Sequence, residues 1–97
     1  MRDYGSDLYV FACGEDLVKI GRSCNCQRRL KEVRSYMPFL SVELAWVGAG
    51  AGWLENTAHY AFDARRCGKK AEWFRISKEE AVRTCQMFTT CIAKIQV

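Results

Sequence analysis

The sequence predicts a small α+β domain, a three-stranded antiparallel sheet flanked by about three helices. Three observations predict it. Two β-rich runs open the chain and are separated by a glycine-bearing turn. Apolar residues recur at helical spacing in three later segments. The resulting order, β-β-α-β-α-(β)-α with the hairpin first, fits a small α+β domain.

The 97 residues suffice for one domain, taken as residues 1–97, with a core over 8–77 and a C-terminal helix over 78–95. Nearly half the residues (49%) are hydrophobic, so a core can form without disulfides. Charged residues, at 27%, fit a folded soluble chain rather than a disordered one. A net charge of +4 leans toward a polyanionic partner. No apolar run reaches the length of a membrane span, so no membrane association is expected. Met1 to Asp7 carries two acids and no apolar stretch, unlike a signal peptide, and an intracellular location is expected. The six cysteines, at 13, 24, 26, 67, 85 and 91, include no C-x-x-C pair and accompany a single histidine. They read as free thiols of a reducing compartment rather than a zinc site or a disulfide framework.

Leu8 to Ala12 and Leu17 to Gly21 form the hairpin. Leu8, Val10 and Ala12 share one face and Tyr9 and Phe11 the other, while Val18 and Ile20 lie opposite Lys19. Only a loop with an odd number of residues puts the aliphatic rows together and Tyr9 on the Lys19 face, so a three- or five-residue loop using Gly14 is predicted. Asn25 to Tyr36 is the first helix, with Cys26, Leu30, Val33 and Met37 as its buried stripe. Leu40 to Val47 is the third strand, with Leu40, Val42, Leu44 and Trp46 expected on one face and Glu43 on the other. The Gly48 to Gly52 run reads as a flexible connection whose tip reaches toward substrate; it has neither a dinucleotide nor a Walker spacing. Trp53 to Arg66 is the second helix, buried through Leu54, Ala58, Ala61 and Phe62 and ended near Gly68. Glu72 to Ile76 is a short extended segment with a structural role. Ser77-Lys78-Glu79-Glu80 is a capping box opening a last helix with Val82, Cys85, Phe88, Ile92 and Ile95 buried.

The pieces Tyr9-Val10, Lys19-Ile20-Gly21-Arg22-Ser23, Arg28-Arg29-Leu30, Leu54-Glu55 with His59 and Phe62, and Glu72-Trp73-Phe74 together resemble the GIY-YIG endonuclease superfamily. The likeness is to its phage and meiotically-up-regulated-gene branch, with KIG in place of YIG. It covers residues 8–77. It implies a three-stranded antiparallel sheet with helices around it, and metal-dependent hydrolysis of phosphodiester bonds in DNA. By position, Tyr9 matches the tyrosine of the first motif, Lys19, Ile20 and Gly21 the second motif, Arg29 the catalytic arginine and Glu55 the metal-binding glutamate. The sequence departs from the pattern at Asp7, where the first motif has glycine, and at Val33, where a histidine is frequent. It has no counterpart of the late asparagine of homing-type members.

These residue types suit that chemistry. A Glu55 carboxylate is a hard oxygen donor able to hold Mg²⁺ (or Mn²⁺) while leaving sites to water and phosphate. Arg29 offers a planar, permanently charged fork for phosphate oxygens. Tyr9 would act as a base or orient the water; a free phenol titrates at about pH 10, and Lys19 beside it would lower that value. His59, four residues after Glu55, lies on the same helix face and could relay a proton. Arg22, Arg28, Lys31 and Arg34 are the expected nucleic-acid contacts. A core this small is expected to cut with weak specificity, or to gain specificity as a homodimer or from a guiding partner protein. Two rival readings stand beside the nuclease: a nucleic-acid-binding module on the same fold without turnover, and a cysteine-based redox or zinc regulator.

Overall fold

A computed structural model describes residues 5–68 and 71–95, with side chains through residue 91. Its elements are β1 (Asp7–Cys13), β2 (Leu17–Ser23), α1 (Cys26–Tyr36), β3 (Val42–Gly48), α2 (Glu55–Ala61), β4 (Trp73–Phe74) and α3 (Lys78–Ile95). The strands form one antiparallel sheet in the order β3-β1-β2-β4. The expected three-stranded sheet is thus present, and the short extended segment joins its edge as a two-residue fourth strand.

The hairpin closes through a three-residue turn, with Gly14 at φ +68°, a conformation a side chain would oppose. Val10 therefore faces Ile20, Ala12 faces Val18 and Phe11 faces Lys19. This register separates two cores. On one side Leu8, Val10, Ala12, Val18 and Ile20 pack with Leu54, Ala58 and Phe62, and with Ile76, Ala81 and Cys85. On the other, Tyr9 and Phe11 stack with ring centroids 3.9 Å apart and pack with Cys26, Leu30, Val33 and Val42. The sheet is the central layer, with α1 on one face and α2 and α3 on the other.

Three expectations are corrected. The alternation through Leu40, Val42, Leu44 and Trp46 breaks at a β-bulge: Phe11 pairs with Leu44 and Val10 with Trp46, leaving Ala45 over. Leu40, Val42 and Leu44 thus belong to the α1 side and Trp46 to the opposite side. The second helix is shorter than Trp53 to Arg66. It is α-helical only over Glu55–Ala61, flanked by 3-10 turns at Gly52–Leu54 and Asp63–Arg65, and Ala61 is exposed. The reason is tertiary: the backbone of residues 65–67 pairs with the outer edge of β4, through Arg75 N–H to the Arg65 carbonyl (2.8 Å) and Cys67 N–H to the Trp73 carbonyl (2.9 Å). Strand-like pairing and helix cannot coexist there. Finally, the glycine-rich connection is held rather than loose. The Gly50 amide donates to Asp7 Oδ1 (2.8 Å) and the Gly52 amide to the Ser6 carbonyl (3.0 Å).

Two helix starts follow the sequence closely. Asn25 caps α1 by accepting from the Arg28 amide (3.0 Å), and Ser77 Oγ accepts from the Glu80 amide (3.1 Å). The reciprocal half of the predicted capping box is absent, because the Glu80 carboxylate accepts two bonds from Arg65 Nη1, both 3.0 Å. Cys85 is buried in α3, with Val82 and Phe88 packed against the same core; the side chains of Ile92 and Ile95 lie outside those described. No helix among the described residues is long and apolar enough to cross a membrane.

Candidate active site

Four successive residues of β2, Lys19 to Arg22, gather the polar side chains expected to act together. Gly21 faces Tyr9 across the ladder. A Cβ at Gly21 would lie 2.3 Å from the Tyr9 hydroxyl, so the phenol rests over the bare backbone of that glycine. On the same side of the sheet α1 brings Arg29, whose Nη1 donates to Glu32 Oε2 (2.9 Å) and whose charge is held by the neighbouring Tyr9 and Tyr36 phenols. From the other side α2 brings Glu55 and His59. Arg22 Nε lies 3.8 Å from Glu55 Oε1, and His59 Nε2 lies 2.7 Å from the Ile20 carbonyl. On β2, β4 pairs with Val18 and Lys19, so Gly21 lies beyond its end. There the two layers meet around β2, and Glu55 acts electrostatically on Tyr9.

The protonation states follow from these contacts. Burial pushes the Tyr9 phenol up to about 12; Arg29 pulls it down by its hydrogen bond, and Glu72 pushes it up again. This corrects the expected lowering by Lys19, which is buried and ion-paired with Glu72. A lysine this enclosed requires an acid partner, since an unpaired buried charge costs several kcal/mol, on the order of 3–5. Tyr9 is thus a neutral phenol at ordinary pH. Arg29 can only donate, so toward it the Tyr9 oxygen can act only as an acceptor, which leaves the phenolic proton for another group. A carbonyl only accepts, so the bond requires a proton on His59 Nε2. Of the two nitrogens a proton relay would use, one is therefore committed to the backbone.

Glu55 is raised above the ordinary carboxylate range, chiefly by burial, with repulsion from Glu72 opposing the help of His59, Arg22 and Lys19. Its side chain keeps a solvent-exposed fraction of 17% and so is not sealed off. Arg29 is held even more firmly protonated than a free guanidinium, first by Tyr9 and then by Glu32.

The remaining basic residues are placed differently. Arg28 is exposed and 3.8 Å from Glu32, and Lys31 is exposed on the outer face of α1. Arg34 turns away from the site, with Nε donating to the Val42 carbonyl (2.8 Å). Glu72, read from the sequence as structural, faces both Lys19 and Glu55 electrostatically. The available signal was Lys19 itself, a cation inside a strand whose neighbours Val18 and Ile20 are core residues. All six cysteines are free, with Cys26 and Cys85 buried and Cys24, Cys67 and Cys91 exposed. Burial pushes the Cys85 thiol up to about 12, which leaves it unreactive.

The Tyr9 environment has a measurable consequence. Of the four tyrosines, one is expected to ionise near pH 12 by ultraviolet titration, a step lost in Tyr9→Phe. The folded value lies above the unfolded value of about 10, so the associated stability is complete below about pH 10 and is lost as pH rises toward the folded value. Four tyrosines titrating together near 10 would contradict this placement.

No curated protein and no solved structure matches this chain. Residues 8–89, the greater part of the chain, match the T5orf172 domain. That match begins in β1, takes in every element carrying the residues above and ends within α3. The chain belongs to the T5orf172 domain family, which is found in phage and nuclease-like proteins, is related to the GIY-YIG-type fold, and is compatible with nuclease-like activity and nucleic-acid binding.

Proposed function

We propose that this chain is a metal-dependent endonuclease of the GIY-YIG type that hydrolyses phosphodiester bonds in DNA. The observation that supports the reading is that adjacent residues of β2 meet a phenol and a carboxylate: the Tyr9 phenol packs against Gly21, and Arg22 lies 3.8 Å from the half-buried Glu55. Arg29 supplies two-pronged charge to non-bridging phosphate oxygens, and its contact with Tyr9 fixes where that fork points. Tyr9 donates its phenolic hydrogen to a phosphate oxygen or to the attacking water, orienting it rather than removing its proton. With Nε2 bound to the Ile20 carbonyl, His59 would accept a proton at Nδ1. Arg22 balances Glu55 before substrate arrives. Buried Lys19 and partly exposed Glu72 form an ion pair that shapes the field at the site.

The donor set fits Mg²⁺ or Mn²⁺. Glu55 is a hard oxygen ligand whose burial and repulsion from Glu72 disfavour its negative charge, a situation a divalent cation relieves. Among the described residues no three His, Cys, Asp or Glu side chains gather as a metal cage, so Glu55 would hold the ion with water and phosphate completing its shell. When bound, the cation supplies Lewis-acid stabilisation of charge on the phosphate and acidifies a water.

Supercoiled plasmid incubated with the protein is expected to be nicked in Mg²⁺ and left intact in EDTA. Arg29→Ala is expected to slow nicking by on the order of 10²–10³-fold, the usual cost of losing a positioned charge donor in the transition state. Nicking that persists in EDTA, or that survives Arg29→Ala, would defeat the proposal. A second reading, binding without turnover, is favoured by the neutral Tyr9 and by the engagement of Lys19 with Glu72. Its signature is salt-sensitive DNA binding with no nicking in either condition.

A further inference from the structure

We propose that the corner joining α1 to β3 is a stacking platform for unpaired bases, so that the chain engages single-stranded nucleic acid in preference to closed duplex. The inference rests on the nucleic-acid reading above and specifies its substrate class. Among the described residues, three of the four large apolar side chains most open to solvent are aromatic: Phe39 (91% exposed), Tyr60 (86%) and Tyr36 (65%). Flat rings left in water are poorly used by a fold of this size, which has two apolar cores within reach.

Tyr36 lies seven residues after Arg29, hence on the same face of α1, and is near enough to help hold the Arg29 guanidinium charged. The ring therefore stands beside the proposed phosphate clamp. Phe39 follows three residues on, in a corner that is built rather than loose. Leu40 N–H bonds the Met37 carbonyl (3.1 Å), and Arg34 Nε reaches across to the Val42 carbonyl (2.8 Å). Arg34, assigned from the sequence to nucleic acid, thus also acts as a strut for the corner that presents Phe39.

Charge selects the occupant. α1 carries Arg28, Arg29, Lys31 and Arg34 against one acid, Glu32, which Arg28 and Arg29 already flank. An apolar protein surface would have to desolvate those cations. A polyanion that also offers flat hydrophobic faces satisfies both the charges and the rings, and single-stranded nucleic acid has that composition. In closed duplex the base faces are stacked on each other and the rings of Tyr36 and Phe39 have nothing to cover.

The test is binding in EDTA, where turnover does not intervene, of a fluorescent fifteen-nucleotide oligo(dT) and of a duplex of equal length. The wild-type chain is expected to prefer the single strand. The double variant Tyr36→Ala/Phe39→Ala is expected to lose on the order of tenfold or more in single-strand affinity while duplex affinity changes less than about twofold. Tyr36→Phe, which keeps the ring and removes the hydroxyl, should retain most of the preference. Arg28→Ala/Lys31→Ala should weaken both ligands alike and flatten the salt dependence. Thermal melting of each variant controls for folding. No wild-type preference, or equal losses for both ligands in the aromatic variant, overturns the proposal even if plasmid is nicked. Ring-dependent single-strand binding without nicking would uphold it while removing the nuclease reading.

Discussion

Gly21→Ala is expected to damage both stability and activity more than any other single added methyl at the site. The new Cβ would fall 2.3 Å from the Tyr9 hydroxyl and 2.5 Å from Cζ, well inside contact distance. A tyrosine tip can often swing aside, but this one is enclosed: Tyr9 is 1% exposed, stacked on Phe11 and packed with Cys26, Leu30 and Val33. Overpacking of this kind costs about 1–3 kcal/mol. Displacing the phenol and its guanidinium by an ångström is expected to slow nicking on the order of 10²-fold. Urea denaturation and the plasmid assay read the two effects. In a Tyr9→Ala background the same alanine should be nearly neutral, because its obstacle is gone; a double-mutant cycle measures that coupling. Equal effects of Gly21→Ala in both backgrounds would show that the phenol does not lie over this glycine.

Glu55→Gln is expected to move activity and stability in opposite directions. Nicking should fall by at least on the order of 10²-fold, because the neutral amide is a weak partner for a divalent cation. The metal-free protein should become more stable at neutral pH. Burial holds the Glu55 pKa above its unfolded value, so the folded chain binds that proton more tightly than the unfolded chain does. The contribution is therefore complete below the unfolded pKa, at about pH 4, and is lost as pH rises through the raised folded value. The gap between wild type and Glu55→Gln should open over that same rise. Added Mg²⁺ should narrow it by raising the melting temperature of the wild type alone. A variant less stable than wild type at pH 7 without metal, or an equal Mg²⁺ response in both, would refute this account of the carboxylate.

Much of this arrangement was legible because it rests on local alternation. The hairpin register followed from keeping Val10 and Ile20 on one side, and that register alone decides that Tyr9 and Lys19 share a face. The stripe Cys26, Leu30 and Val33 defined the buried side of α1 and so aimed Arg29 toward the sheet. What was not legible depended on contacts distant in sequence. The end of α2 was hidden because Arg65 to Cys67 leave the helical path to border β4, which a helix-forming sequence does not announce. Glu72 was missed because its partner Lys19 is 53 residues away. Asp7 looked like a departure from the first motif, yet its carboxylate fastens the Gly50 amide and ties the start of β1 to the glycine connection. The bulge escaped notice because Leu44 and Trp46 are both apolar and two residues apart, a spacing that reads as one face in any regular strand.

That unpaired Ala45 has a consequence for geometry farther along. A bulge adds right-handed coil to its strand and bends it. Only Trp46, Val47 and Gly48 remain before the chain leaves the sheet for α2. The indole of Trp46 lies close over Gly48, where a Cβ would meet it at 2.5 Å, so the chain leaves the sheet tight beneath that ring. One supernumerary alanine thus steers the segment that delivers Glu55, from the edge of the sheet to Arg22 on the strand two places away.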